Sequence, residues 1–353
     1  DALPIFVHRR RVAQDGFAAP APHLLRELPR NGAGLRLGLG AALGSRKRSE
    51  AVAALVDDPT HTDEASAAGQ RLAALLSARH DTVRGFFNSG ATTGHACAQV
   101  AYKCVTSPTD YPINEGSFRS LKVVLAPGTI VSAVKPAAMR WWMTFPMTIV
   151  DTIFKALEAA IPNRVIAGHH ADLLSVRLHG FAPRTGAFFM AGFGPLGGGW
   201  GAKMTEDGIS ATVCLNDGDT HNSPVESLES KYPLFIERLA LRDGSGGAGK
   251  FRGGLGIERK VVARVPMTLN AQVDRMHCAP WGLDGGLDGF GNEVTVELEG
   301  GEVRDAPNAK VFMQRLATKE GFYARSGGGG GFGSPLERDP ARVAFDVHEG
   351  YVT

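Results

Sequence analysis

A strong excess of charge of either sign is absent from this sequence. Its 353 residues carry 38 Lys and Arg against 36 Asp and Glu, a formal net charge of +2. The overall charge therefore gives no electrostatic reason to expect a nucleic acid or an anionic membrane as partner. Cysteine is scarce as well. The four residues Cys97, Cys104, Cys214 and Cys278 make neither a CxxC pair nor a disulfide framework, which points to reduced, buried thiols in a cytoplasmic protein. No apolar run reaches the roughly 18 residues of a spanning helix, and no charged-then-apolar leader with a cleavage site opens the chain. A fixed internal period is missing, which excludes a solenoid. The first residue, Asp1, is not methionine, which implies a processed, truncated or partial chain.

Glycine is what the chain has in excess. There are 45 glycines, approaching twice the usual share of about 7%, and without a Gly-X-Y period they do not make collagen. Their densest association with polar chemistry is the run from Leu215 to Gly256, LNDGDTHNSPVESLESKYPLFIERLALRDGSGGAGKFRGGLG. Asp217, Asp219 and His221 alternate at period two, which on an extended strand sets all three side chains on one face. The glycines after them mean either backbone conformations that a Cβ forbids or backbone that approaches something closely.

The hydrophobic fraction of 43% supports a substantial core and one large domain or two. Residues 1–70, rich in Ala, Arg and Leu with weak periodicity, read as a poorly structured N-terminal arm; residues 71–353 read as the folded domain. A helix is expected over ATTGHACAQVAYKCV. A second is expected over MTFPMTIVDTIFKALEAAIP, where Ile149, Ile153, Leu157 and Ala160 step along one face. LKVVL and TIVSAV flank a Pro127-Gly128 turn as strands. LLSVRLHGF, GAFFMAGF, ISATVCL, IERKVVARV, MTLNAQV and NEVTVELE read as further strands. A terminal helix begins near Pro335, with Asp339 as cap and Val343, Phe345 and Val347 as a docking face. The class is α+β: a strand-rich mixed sheet with a few packed helices.

Three constellations carry candidate chemistry. Asp217, Asp219 and His221 suit a divalent metal or the positioning of water; the plain alternative is a turn in which Asn and Asp side chains bond their own backbone. His169, His170 and Asp172 follow the second helix. Adjacent histidines on a strand point to opposite faces, so His170 and Asp172, two apart, are the pair that can share a site. GGGWGA around Trp200 and the loop containing Gly247 either offer backbone amides to a phosphate or make tight sheet turns, with Arg252 and Arg275 as anion partners in either case. Lys250 is not followed by Ser or Thr, so the loop is not a Walker A motif. Trp141, Trp142 and Trp281 read as core or interface residues.

The ordered segments VRGFFNSG, YPINEGSFR, IVDTIFKALEAAIPNRV, GGGWGA, NDGDTHNSPVE, FRGGLG, APWGLDGG and SGGGGGFGSPLERDP resemble the C-terminal half of the B-type subunit of the N-methylhydantoinase and 5-oxoprolinase family, over about Gly85 to Thr353. Acetone carboxylase and related ketone carboxylases have a homologous subunit. The resemblance implies a cytoplasmic hetero-oligomer that opens small cyclic amides such as 5-oxoproline, an intermediate of glutathione metabolism. In it an A-type partner subunit uses ATP and Mg²⁺ to phosphorylate the amide oxygen, and the B-type side hydrolyses the activated intermediate. His221 and Asp219 become the candidate catalytic pair; Arg252, Arg275 and Gly247 the candidate substrate or anion contacts; Asp217, His170 and Asp172 candidate ligands of a divalent metal. No NDP...GGTH or NRAHH-like segment, which the family carries in its N-terminal half, opens this chain. Two other readings follow: a subunit of an ATP-dependent ketone carboxylase, and a noncatalytic assembly module.

Overall fold

Alternation of apolar and polar residues builds most of the described strands. The structure, a computed structural model, describes residues 5–7, 82, 88–106, 112–118, 121–139, 146–158, 161–193, 195–213 and 223–352. The chain divides into two units, Asp1–Ile166 and Ala167–Thr353. The arm expected over residues 1–70, and its boundary, fall outside the described residues apart from strand β1 (Ile5–Val7), which pairs antiparallel with β2 (Leu121–Val123).

In the first unit, helix α1 (Ala91–Thr106) buries Cys97, Ala98, Ala101, Tyr102 and Val105, an i, i+3/i+4 stripe. His95 is exposed. Helix α2 (Pro146–Leu157) starts on a proline, whose missing N–H costs nothing at that position, and buries Ile149, Val150, Ile153 and Phe154. Burial pushes the Cys97 thiol up to about 12, whereas Cys104 and Cys278 are exposed, so the expectation of uniformly buried thiols holds for Cys97 alone among these three. TIVSAV does not form a strand. Thr129 bridges Ser132 directly after Gly128 at φ 86, and the chain turns there.

The second unit is a sandwich of two antiparallel sheets. Its strands are β3 (Ser175–Phe181), β4 (Phe188–Gly192), β5 (Leu234–Leu241), β6 (Ile257–Ala263), β7 (Met267–Gln272), β8 (Glu293–Glu297), β9 (Val303–Asp305), β10 (Lys310–Leu316) and β11 (Gly321–Arg325). One sheet runs in the order β10-β7-β3-β4, the other β5-β6-β11-β8-β9. Strict two-residue alternation sends Ile257, Val261 and Ala263 of β6 and Met267, Leu269 and Ala271 of β7 into one core, joined there by Leu178, Leu234, Val296 and Phe322. The α+β class holds, with each of these sheet pairings antiparallel.

The glycines build a different object. Three successive residues of the run Gly327–Gly331 donate to three different neighbours: Gly329 to the Gly254 carbonyl, Gly330 to Gly168 and Gly331 to Leu287. Their carbonyls accept from Gly247, Ala202 and Leu283. A β-strand alternates between two sides; donation in three directions is the mark of the threefold polyproline-type helix, which has no internal hydrogen bonds. The same period of three appears where Gly199 donates to Gly327 and Ala202 to Gly330. A Cβ on Gly329 would lie 1.8 Å from the Trp200 oxygen, one on Gly253 1.9 Å from Gly329 and one on Gly201 1.8 Å from Ala167. None of these glycines has a left-handed φ, so close approach accounts for them.

Helix α3 (Val225–Lys231) precedes β5. The terminal helix α4 (Pro340–His348) is capped by Asp339, whose carboxylate accepts from the Ala341 amide at 2.9 Å. Its expected docking face is a correction: Val343, Phe345 and Val347 are exposed. Asp346 is the residue that turns inward, held by Arg338 at 2.7 Å and Arg252 at 3.3 Å. Arg338 also clamps Asp207 at 2.8 Å. The ion cluster, not the apolar stripe, sets which side of α4 faces the fold. Among the described residues no helix is long and apolar enough to cross a membrane.

Candidate functional site

Left-handed backbone at residues with a Cβ is sparsely populated, costs of order 1–3 kcal/mol each, and tends to collect at functional sites. Nine such residues are described in the second unit, and five of them lie at one end of the four-stranded sheet. Ala171 (φ 52), Leu174 (φ 44), Arg275 (φ 60), Asn308 (φ 54) and Ala309 (φ 45) flank the end where Ser175, Gln272 and Lys310 sit in register. The segment 165–174 is irregular, so the same-face spacing expected for His170 and Asp172 on a strand does not apply; the turn at Ala171 decides where they point.

Asp172 is the staple of this corner. One carboxylate oxygen accepts from the Leu173 amide at 2.8 Å, the other from the Asp274 amide at 2.7 Å. Burial, and then the neighbouring Asp274 carboxylate, raise its pKa to about 7. Asp274 in turn meets Lys310 at 2.8 Å, and that ammonium also donates to the Val273 carbonyl. Asn292 ties the corner to the glycine bundle: its amide donates to the carbonyls of His170 (3.2 Å) and Asp274 (2.8 Å), and its oxygen accepts from Gly327 at 2.6 Å.

His170 is wholly buried against the bundle. A Cβ on Gly198 would lie 2.3 Å from its ring, and its own amide donates to Gly199. Among the described residues neither ring nitrogen has a hydrogen-bond partner. The Gly199 and Asp172 backbone groups favour the charged ring but are outweighed: burial, followed by the charge of His169, lowers its pKa to about 4, leaving a neutral imidazole at pH 7. His169 packs on Trp200 at 5.3 Å, whose indole donates to the Val213 carbonyl at 2.6 Å. Arg275 is buried, its guanidinium 4.4 Å from the Trp281 ring centre.

The structure therefore brings His170, Asp172 and Arg275 to one corner. Asp217, Asp219 and His221 lie outside the described residues, as do Trp141 and Trp142. Arg252 is elsewhere, its charge answered by Asp346 and its plane 5.1 Å from the Tyr351 ring. The Gly247 amide donates to Gly329, and those of Gly199, Trp200, Gly253 and Gly254 donate to other bundle carbonyls. These amides are used within the bundle rather than offered to a phosphate; the turn reading holds at Gly244, at φ 65, while close backbone approach accounts for Gly199, Gly247, Gly253 and Gly254. Asp172 spends both oxygens on backbone amides, and among the described residues no three His, Cys, Asp or Glu side chains converge to hold a metal. Asn292, Asp274 and Lys310 escaped the sequence reading. Each stands alone in a loop or at a strand end, and only the left-handed turns bring them together.

The model of the hydantoinase B/oxoprolinase family matches residues 48–335. The B-type subunit of a putative D-/L-hydantoinase from Pseudomonas sp. (strain NS671) is 30% identical over 69% of this chain and 40% of its own length. The beta subunit of caprolactamase from Pseudomonas jessenii is 31% identical over 69% of this chain and 43% of its own. The crystal structure of the ATP-dependent caprolactamase from that organism superposes with a TM-score of 0.68 at 27% identity, covering 78% of this chain and 48% of that one. Nucleotide-free acetone carboxylase superposes equally well, TM-score 0.68, at 20% identity over 77% of this chain and 41% of that one, a likeness of fold. The chain spans less than half the length of the curated relatives it matches.

Proposed function

Because the chain belongs to the hydantoinase B/oxoprolinase family, we propose that it forms part of the B-type side of an ATP-dependent cyclic-amide hydrolase. The observation that carries the reading is the match across residues 48–335; relatives named as a hydantoinase, a caprolactamase and a 5-oxoprolinase narrow the substrate class to small ring amides. An unstrained lactam carbonyl is a poor electrophile. Phosphorylation of its oxygen, supplied by an A-type partner subunit with ATP and Mg²⁺, turns that oxygen into a leaving group. Water then adds to the ring carbon, the C–N bond breaks with proton transfer to the departing nitrogen to give an amine and an acyl phosphate, and a second water hydrolyses that acyl phosphate to a carboxylate and free phosphate. With 5-oxoproline as substrate the product is glutamate, and the setting proposed for that reaction is glutathione metabolism in the cytoplasm.

His221 with Asp219 is the pair proposed to take the proton from the attacking water. The described side chains do not by themselves fit a metal, so no step is assigned to one.

The test is reconstitution of the full chain with an A-type subunit of the family, followed by ADP release and ring opening with 5-oxoproline, hydantoin or caprolactam. Ring opening that needs ATP, and that falls by about two orders of magnitude or more in His221→Ala, is the expected result. ADP release with acetone and bicarbonate instead would favour a ketone carboxylase, the reading that the likeness to acetone carboxylase keeps in view. Binding of the partner without turnover of either substrate would leave an assembly module.

A further inference from the structure

Helix α4 presents a single buried side chain to the fold. Asp346 is 3% exposed, whereas every other residue of the helix is exposed, Val343, Phe345 and Val347 included. A helix that buries so little apolar surface opens at low cost once its carboxylate lets go. Its remaining contacts lie at the rim or just beyond its end. Arg342 reaches Asp207 at 3.5 Å and lies over Phe251, the Tyr351 carbonyl accepts from the Gly244 amide at 3.0 Å, and the Tyr351 ring covers the Arg252 guanidinium.

What receives Asp346 is a pair of buried cations. The side chains of Arg252 and Arg338 are each 8% exposed. Three of their nitrogens converge on one oxygen, Oδ2: Nη2 and Nε of Arg338 at 2.7 and 3.1 Å, and Nε of Arg252 at 3.3 Å. The third is close but misaligned. Among the described residues the Arg252 Nε–H has no hydrogen-bond partner. Guanidinium forks are matched by separate oxygens lying in their planes, so a carboxylate tethered to a helix fills this place without satisfying it. A free tetrahedral oxyanion can give each donor an oxygen of its own. Charge then makes an occupant necessary. When Asp346 withdraws, Arg338 keeps Asp207 at 2.8 Å, but Arg252 loses the carboxylate that its side chain faces. A buried guanidinium without a counter-ion is strongly unfavourable, so α4 leaves this place only in exchange for another anion.

We propose that Arg252 and Arg338 form a binding site for a phosphate group and that α4 is its plug, with Asp346 and the ligand excluding one another. Side chains make this site, not the amides of the glycine bundle, and it is independent of the cyclic-amide chemistry proposed above.

The full chain is titrated by calorimetry with inorganic phosphate, phenyl phosphate and acetate at matched ionic strength, as wild type, as Asp346→Asn, and as Asp346→Asn with Arg252→Gln. Phosphate should bind Asp346→Asn about tenfold or more tighter than wild type, because the competing carboxylate is gone. Adding Arg252→Gln should weaken it by about tenfold or more, the loss of one charge-assisted hydrogen bond. In the wild-type chain phosphate should speed amide exchange across residues 340–348, and chloride at equal ionic strength should not. No binding to a folded Asp346→Asn chain, equal affinity in wild type and Asp346→Asn, or affinity indifferent to Arg252→Gln overturns the plug. Acetate that binds as tightly as phosphate overturns the ligand class in favour of a carboxylate. Where Asp346→Asn does not fold, the wild-type exchange decides: α4 amides that phosphate leaves at their chloride rate overturn the proposal. Phenyl phosphate binding tighter than the free ion makes the ligand a phosphate ester, and weaker binding makes it inorganic phosphate. Neither an A-type subunit nor ring opening enters the test, so its failure leaves the functional reading standing.

Discussion

Gly329→Ala tests the glycine bundle most directly. The added methyl carbon would stand 1.8 Å from the Trp200 oxygen, 2.2 Å from its carbon and 2.6 Å from the Gly201 nitrogen. All three are backbone atoms, so no side chain can swing away. Relief to an ordinary contact needs a backbone shift of about 1.5 Å, enough to break both bonds made by Gly329, its donation to Gly254 and its acceptance from Gly247, each 2.8 Å. Each buried group left unpaired costs about 1–3 kcal/mol, so a loss of roughly 4 kcal/mol or more is expected, a large part of a typical domain's stability. Gly192→Ala is the control: nothing lies within 4 Å of its added carbon and its φ is not left-handed. That change should fall within about 0.5 kcal/mol of wild type. Urea unfolding of the full chain, followed by tryptophan fluorescence, measures both, and soluble yield serves where Gly329→Ala does not fold. Equal midpoints for the two variants would refute the packing described.

Three further outcomes are expected. Asn292→Ala strands the carbonyls of His170 and Asp274 and the amide of Gly327, and should lower stability by about 2–4 kcal/mol with faster amide exchange at Gly327. Asp346→Ala leaves Arg252 and Arg338 buried with their shared partner removed; a loss near 3 kcal/mol and early proteolysis after Arg338 should follow, and an unchanged midpoint would show that α4 is held by something else. His170, with its pKa lowered from 6.5 to about 4, contributes stability that is present above pH 6.5 and lost as pH falls through 4. Asp172, raised from 3.8 to about 7, contributes stability that is present below pH 3.8 and lost as pH rises through 7. Between roughly pH 4 and 6.5 the two slopes oppose. In His170→Phe that of Asp172 stands alone, and stability should fall by up to about 1.4 kcal/mol per pH unit; urea midpoints at about pH 4.5, 5.5 and 6.5 that leave the wild-type slope unchanged would exclude it.

Side chains with a period are what a sequence displays, and the elements read from it follow that rule. Helices α1 and α2 and strands β3, β4, β6, β7 and β8 coincide with expected segments because one face of each is apolar. Strands β5 and β10 went unread because register shifts, between Ile236 and Arg238 and between Val311 and Gln314, break the alternation. Strand β11 runs straight into SGGGGG. The bundle itself has no side chains to show a period, so its glycines looked like turns or a phosphate loop. At the site, HHAD was visible as a cluster of residue types, but its geometry depends on a left-handed alanine, which nothing in local propensity announces. The staple to Asp274 and the tether through Asn292 span 102 and 122 residues, separations at which one sequence carries no signal.

The threefold repeat of the bundle also restricts how its segments can change length. Gly199 and Ala202 donate to Gly327 and Gly330, so the two chains stay in phase only because each advances by three. One residue added to or removed from a bundle segment turns everything beyond it by a third of a revolution, aiming each amide at the wrong neighbour and each missing Cβ at open space. An insertion of three restores the phase. Viable length variation within these segments therefore comes in steps of three, as a strand allows steps of two, and the glycine spacing acts as a reading frame at the level of the fold.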